Sequence, residues 1–272
     1  TLWNHKEENS MNRIDACLSK LQAEGKKALI TFITAGDPSL DTTEKLVLTM
    51  FDNGADIIEI GVPFSDPIAE GTTIQEASLR ALSTGETNLD TIFELVKRLR
   101  AKTDKPLVLM MYINTIFRYG TEKFFKLCKE DGIDGVIVPD LPYEERDEIL
   151  PYAKANGIIP ISMVTPASHE RIRAIASQAE GFLYCVSSNG VTGTRSSFST
   201  DFDSFFGEIK KNCKIPAMVG FGISSPEQAK KMSGYCDGVI VGSAVVKIVA
   251  QYGKDSAEKV GEFTKSLKDA MN

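Results

Sequence analysis

A chain of 272 residues with 42% hydrophobic and 25% charged residues is long enough to bury a large core as one α/β domain. Its net charge of -6 works against a polyanionic partner, which excludes nucleic acid and an anionic membrane surface from the expected functions. No apolar run nears the roughly 20 residues of a membrane-spanning helix, and TLWNHKEENS at the start lacks the apolar centre of a signal peptide, so a cytoplasmic protein is expected. Five scattered cysteines (Cys17, Cys128, Cys185, Cys213, Cys236) without a C-x-x-C pair predict free thiols. With only His5 and His169 in the chain, neither a zinc site nor a Ser–His–Asp triad is expected, and no metal is assigned.

In chain order, residues 1–10 are polar and read as a leader outside the fold; residues 11–272 read as a single domain. From Met11, Ile14, Leu18 and Leu21 share one helical face, and Gly25 ends that first helix. Eight β-rich runs follow: 28–33, 56–60, 106–112, 134–140, 157–164, 181–188, 215–222 and 236–244. Amphipathic stretches alternate with them, at 42–53, 89–101, 121–131, 143–156, 169–179, 226–233 and 256–271. Strands apolar on both faces, alternating with helices, predict a parallel sheet covered by helices. Eight such units in this length predict a (β/α)8 TIM barrel with an extra N-terminal helix. A doubly wound open sheet ranks second, because TAGDPSL after the first strand contains no G-x-G-x-x-G. Two connections are long, after strand 2 (63–85) and after strand 6 (189–200), and are expected to be loops that cover the active face.

The chemistry is expected around Ile57–Gln75, IIEIGVPFSDPIAEGTTIQ. A short apolar run stopped by Gly and Pro places Glu59 at the carboxyl end of a buried strand. Burial raises a carboxyl pKa and prepares an acid/base group. At this level a second reading stays open, in which Glu59 is a core acid in an internal ion pair and Asp66 caps the next helix. Asp66 and Glu70 follow on the loop.

Glycine-bearing strand ends recur late in the chain, at NGVTGT, GFGISS and GSA. Each glycine taken singly reads as a turn residue, but three such ends together, with a helix N-terminus, predict a phosphate site with Gly193, Gly222, Gly242 and Ser243 as the chosen donors. No Lys or Arg cluster accompanies them, so backbone dipoles carry the charge. Phe32, Ile74, Tyr112, Tyr184 and Phe221 at strand ends outline a flat slot, although each also suits ordinary barrel filling. The residues alone thus suggest proton-transfer or C–C lyase chemistry on a phosphorylated small molecule.

Across residues 11–271, FITAGDP, EIGVPFSDPIAEG with TIQ, MMYINTIFRYG, GVIVPDLPYEE, SNGVTG, GFGISSPEQ and GSAVVKI resemble, in order and spacing, the tryptophan synthase α-subunit family. The resemblance implies retro-aldol cleavage of indole-3-glycerol phosphate to indole and glyceraldehyde 3-phosphate, with no cofactor in this chain. It implies that Glu59 is the acid/base and that Glu70 holds the indole N–H. It places Phe32, Ile74, Tyr112, Tyr184, Thr192 and Phe221 around the substrate, Thr192 helping to orient Glu70, and puts Gly193, Gly222, Gly242 and Ser243 in the phosphate cradle. It further implies an α2β2 complex, with indole channelled to a β subunit that carries pyridoxal phosphate, and Asp66, Pro67, Asn114 and Pro142 facing that partner. Two departures stand out. The second carboxylate is often Asp in the family and is Glu70 here, and Thr72 stands where Pro commonly follows the Gly. A barrel retained only as an activator of the β subunit is the alternative; indole-glycerol-phosphate synthase, expected to use a strand-end Lys, fits less well.

Overall fold

The computed structural model describes residues 11–168, 170–186, 202–220 and 222–272. Its frame is a ring of parallel strands: β1 (Ala28–Thr34), β2 (Ile57–Gly61), β3 (Leu107–Met110), β4 (Gly135–Ile137), β5 (Ile159–Pro160), β6 (Ser162–Val164), β7 (Leu183–Val186), β8 (Ala217–Gly220) and β9 (Gly238–Val241). The spatial order is β5-β4-β3-β2-β1-β9-β8-β7-β6. Its two ends, β5 and β6, are halves of the expected fifth strand, interrupted at Ile161. β5 pairs only with β4 and β6 with β7, so the chain itself closes the ring. The expected eight-stranded barrel is therefore present, with one broken strand. From β3 onward the strands are shorter than the apolar runs that announce them, because run ends continue as turns.

Alternation along β2 sets the site. Ile58 and Ile60 join the outer core, packed under the helices, whereas Ile57 joins the barrel interior with Ile30, Val108, Ile137, Met218 and Ile240. Successive strand residues face opposite sides. Glu59 therefore shares the interior face with Ile57.

The outer layer contains α2 (Leu40–Asp52), α4 (Leu89–Arg100), α6 (Thr121–Asp131), α10 (Pro226–Ser233) and α12 (Ala257–Met271), at the places the periodicity predicts. The stretch 143–156 divides into a 3-10 turn, Tyr143–Glu148, and α7 (Leu150–Ala155). Within 169–179 only α8 (Ile172–Ala176) is helical. Four helices go beyond the amphipathic stretches: α3 (Thr72–Ser83), α5 (Ile113–Tyr119), α9 (Phe202–Asn212) and α11 (Ser243–Tyr252). The long connection after strand 2 is thus not wholly loop. Its second half is α3, whose buried face is Ile74, Ala77, Ser78 and Ala81, too small and polar a stripe to stand out. The expected long loop after strand 6 (189–200) lies outside the described residues, as do residues 1–10. No helix among the described residues is long and apolar enough to cross a membrane.

The first helix, α1 (Arg13–Ala23), closes the amino-terminal end of the barrel. Ile14 and Leu18 join the interior cluster, while the Asn12 side chain accepts from the Ile14 N–H and donates to the carbonyls of Asp134 and Gly157. Gly135 makes room for this plug: a Cβ there would lie 3.0 Å from the Ile14 Cδ1. Replacing a fully buried Ile by Ala removes transfer free energy and leaves a cavity. Ile14→Ala is expected to cost about 2–5 kcal/mol in urea unfolding; a loss under about 1 kcal/mol would show that the plug is dispensable.

Candidate active site

Glu59 sits on β2 opposite Phe32 of β1 and Val108 of β3. Its exposure is 0%, and neither carboxylate oxygen has a hydrogen-bond partner among the described residues. Removal from water with no compensating charge pushes its pKa up to about 8. The reading of Glu59 as an ion-paired core acid is thereby excluded for the described residues. A buried, unpaired carboxyl is costly, so it holds its proton near neutrality.

Glu70 lies on the loop between β2 and α3, and burial raises its pKa to about 7. One of its oxygens, Oε2, is buried without a partner among the described residues. The loop is held from two sides. The Ala69 N–H donates to the Tyr112 hydroxyl at 3.1 Å, and the Gln75 side-chain amide donates to the Glu70 carbonyl at 2.8 Å. Phe64 stacks on the Tyr112 ring with centroids 5.0 Å apart. Tyr112 is expected as a lining residue; the structure adds that its hydroxyl anchors the loop carrying the second acid. Asp66 does not cap α3. The cap position is Gly71, and Asp66 is exposed and accepts from the Ser65 hydroxyl. Thr72 occupies the first helical position, the one that proline favours, so the departure changes rigidity and leaves the helix start in place.

Phe32 and Ile74 meet in one apolar cluster with Ala77, Val246 and Met110. The Phe32 ring lies over Gly61, where a Cβ would stand 2.5 Å from it, and beside Gly242. Tyr184, on β7, leans over Gly220 in the same way, at 2.7 Å, and the charge of Glu59 raises its pKa further after burial has done most of the work. Strand-end glycines thus provide the space in which these rings lie, a requirement no single stretch of sequence reveals.

Of the phosphate donors, Gly242 and Ser243 begin α11, which has no side-chain cap; Ser225, by contrast, caps α10 by accepting from the Gln228 N–H. An uncapped helix start leaves amide N–H groups for an anion. Gly222 follows β8 with φ +65°, a conformation that favours glycine. Thr192, Gly193 and Phe221 lie outside the described residues. Among the described residues no three His, Cys, Asp or Glu side chains group as for a metal ion. A separate cavity of about 510 Å³ lies beside the broken fifth strand, lined by Pro142, Tyr143, Arg146, Met163 and Arg171 among others, and none of the site acids borders it. Asp66, Asn114 and Pro142 are exposed and Pro67 half-buried, with Asp66 and Pro67 on the β2–α3 loop and Asn114 on α5.

Comparison with known proteins decides the family. The family model described as tryptophan synthase alpha chain matches residues 18–272. The chain belongs to the tryptophan synthase alpha chain family. Among relatives, the alpha chain of Thermoanaerobacter sp. (strain X514) is 48% identical over 263 residues, 96% of this chain and 100% of that one. The alpha chain of Clostridium kluyveri (strain ATCC 8527) is 44% identical over the same shares. The structure of tryptophan synthase subunit alpha from Legionella pneumophila str. Paris superposes with a TM-score of 0.87 at 36% identity, covering 96% of this chain and 99% of that one. A chain in the tryptophan synthase complex from Pyrococcus furiosus gives 0.81 at 36% identity, over 89% and 98%. The alpha chain is the lyase of the α reaction in tryptophan biosynthesis.

Proposed function

We propose that Glu59 and Glu70 divide the retro-aldol cleavage of indole-3-glycerol phosphate between a proton carrier and a fixed anion. The observation that carries this reading is Glu59: fully buried, without a partner among the described residues, and poised to hold a proton near neutral pH in the middle of barrel strand β2. The protonated carboxyl donates to C3 of the indole ring, leaving a positive charge shared with the ring nitrogen. The same carboxylate then takes the proton of the side-chain hydroxyl. The bond from C3 to the hydroxyl-bearing carbon breaks, its electron pair returns to the ring, and an aldehyde departs. Glu59 ends as it began, so the step needs no external acid or oxidant. Ionised Glu70 accepts from the ring N–H and stabilises the positive intermediate. Phe32, Ile74, Tyr112, Tyr184 and, beyond the described residues, Thr192 and Phe221 hold the ring; Gly222, Gly242 and Ser243, with Gly193, hold the phosphate through backbone dipoles.

In this reading the chain works in the cytoplasm beside a β subunit that Asp66, Pro67, Asn114 and Pro142 face and to which indole passes, and pyridoxal phosphate chemistry belongs to that partner. One structural neighbour comes from the mutually activating tryptophan synthase a2b2 complex of the hyperthermophile Pyrococcus furiosus, which supports the pairing. Indole release from indole-3-glycerol phosphate, by the chain alone and with a β subunit, tests the reading. Slow release alone and a large rise with the partner are expected. No indole under either condition, with the partner still accelerated, would leave the barrel as an activator only.

A further inference from the structure

We propose that the Asp37–Arg80 ion pair is the positioning device that sets Glu70, an inference resting on the lyase reading above. Asp37 is 3% exposed, and both of its carboxylate oxygens accept from Arg80: Oδ1 from Nε and Oδ2 from Nη2, each at 2.8 Å. A planar guanidinium engaged at two points fixes direction as well as distance. The two ends of the clamp belong to the two elements that build the site. Asp37 stands just after β1, which carries Phe32; Arg80 stands on α3, which carries Ile74 and begins two residues after Glu70, across its cap Gly71.

The Asp37 end is itself rigid. The Gly36 N–H donates to the Thr43 hydroxyl at 3.0 Å, and Gly36, at φ +80°, has no space for a Cβ against Thr87. The Arg80 end transmits along a helix. Ile74 and Ala77 rest on Phe32, and Gln75 donates to the Glu70 carbonyl. A rotation of α3 therefore moves Glu70 and the slot wall together, while Glu59, built into β2, stays in place. Arg80 touches no reacting atom. It acts through α3.

The test compares Arg80→Met, Arg80→Lys and the double variant Asp37→Asn/Arg80→Met in the full chain with its β subunit. The readouts are kcat and KM for indole release, Tm, and amide hydrogen exchange over residues 64–83. Displacement of a catalytic group by about 1 Å costs up to ~100-fold in rate, so kcat/KM for Arg80→Met is expected to fall by about 10- to 100-fold, with faster exchange confined to 64–83. Arg80→Lys should recover part of that loss, since a point charge replaces the fork. Arg80→Met leaves Asp37 buried and uncompensated and is expected to lower Tm; the double variant removes that charge and restores Tm. If the clamp positions Glu70, activity stays low in the double variant although Tm recovers. Recovery of activity together with Tm, or kcat/KM within about twofold of wild type in Arg80→Met, would overturn the proposal. Wild-type turnover in the same assay keeps this outcome separate from failure of the lyase reading itself.

Discussion

Glu59→Gln is expected to abolish indole release and, at the same time, to stabilise the fold above neutral pH. The amide keeps the shape of the side chain but exchanges no proton. Loss of a positioned acid/base group costs about 10²–10⁴-fold, and because one carboxyl serves both proton steps, the fall should lie at the upper end of that range. The gain in stability follows from linkage. Burial raises the Glu59 pKa from 4.5 to about 8. The folded chain therefore binds a proton that the unfolded chain releases, and the contribution of this group is full below pH 4.5 and lost as pH rises through about 8. An amide has no such loss. Urea unfolding across that window should show wild type falling more than Glu59→Gln, which keeps only the decline due to Glu70 and the other raised carboxyls, the two curves diverging as pH rises. A variant that stays active shows that the proton travels by another route; parallel stability curves show that Glu59 is solvated or paired in solution.

The second expectation concerns the pH dependence of kcat/KM. Glu70 acts as an anion and Glu59 as an acid, with pKa values raised to about 7 and about 8 by the same cause, desolvation. Activity of the free enzyme should rise as Glu70 ionises through about 7 and fall as Glu59 loses its proton through about 8, a narrow bell with apparent values belonging to the pair. Glu70→Gln keeps the chain length and removes the charge. Loss of one electrostatic stabiliser costs about 10²–10³-fold in kcat, and the acid limb should vanish while the alkaline limb remains. An acid limb that persists in Glu70→Gln belongs to another group and ends the assignment. Glu70→Asp shortens the side chain by one methylene and tests its length directly: activity at or above wild type would show that the longer side chain is merely accommodated.

Most of the strands are readable because they are buried on both faces and stand as largely apolar runs between turn residues. Glu59 is readable for the same reason, as a carboxylate interrupting such a run. Helix α3 is not, since its inward face is Ala77, Ser78 and Ala81 beside a single large residue, Ile74. Helix α11 is hidden for the opposite reason: SAVVKIVAQY follows the last strand with almost no polar contrast. The anchoring role of Tyr112 leaves no signal in the sequence, because a hydrogen bond across 43 residues has no local period.

What the sequence determined by itself is the order of the strands, the places of the strongly amphipathic helices, the carboxylate within the second apolar run, and the set of side chains available to the site, all of which follow from local periodicity and chemistry. Only the tertiary structure decided that Glu59 has no partner among the described residues, that Phe32 and Tyr184 lie over Gly61 and Gly220, and that Arg80 grips Asp37. Those depend on which atoms remain after strands far apart in the chain have closed into a ring, and on the water that closure expels. A carboxyl pKa and a ring's resting place are set by that through-space surrounding, which no stretch of chain contains.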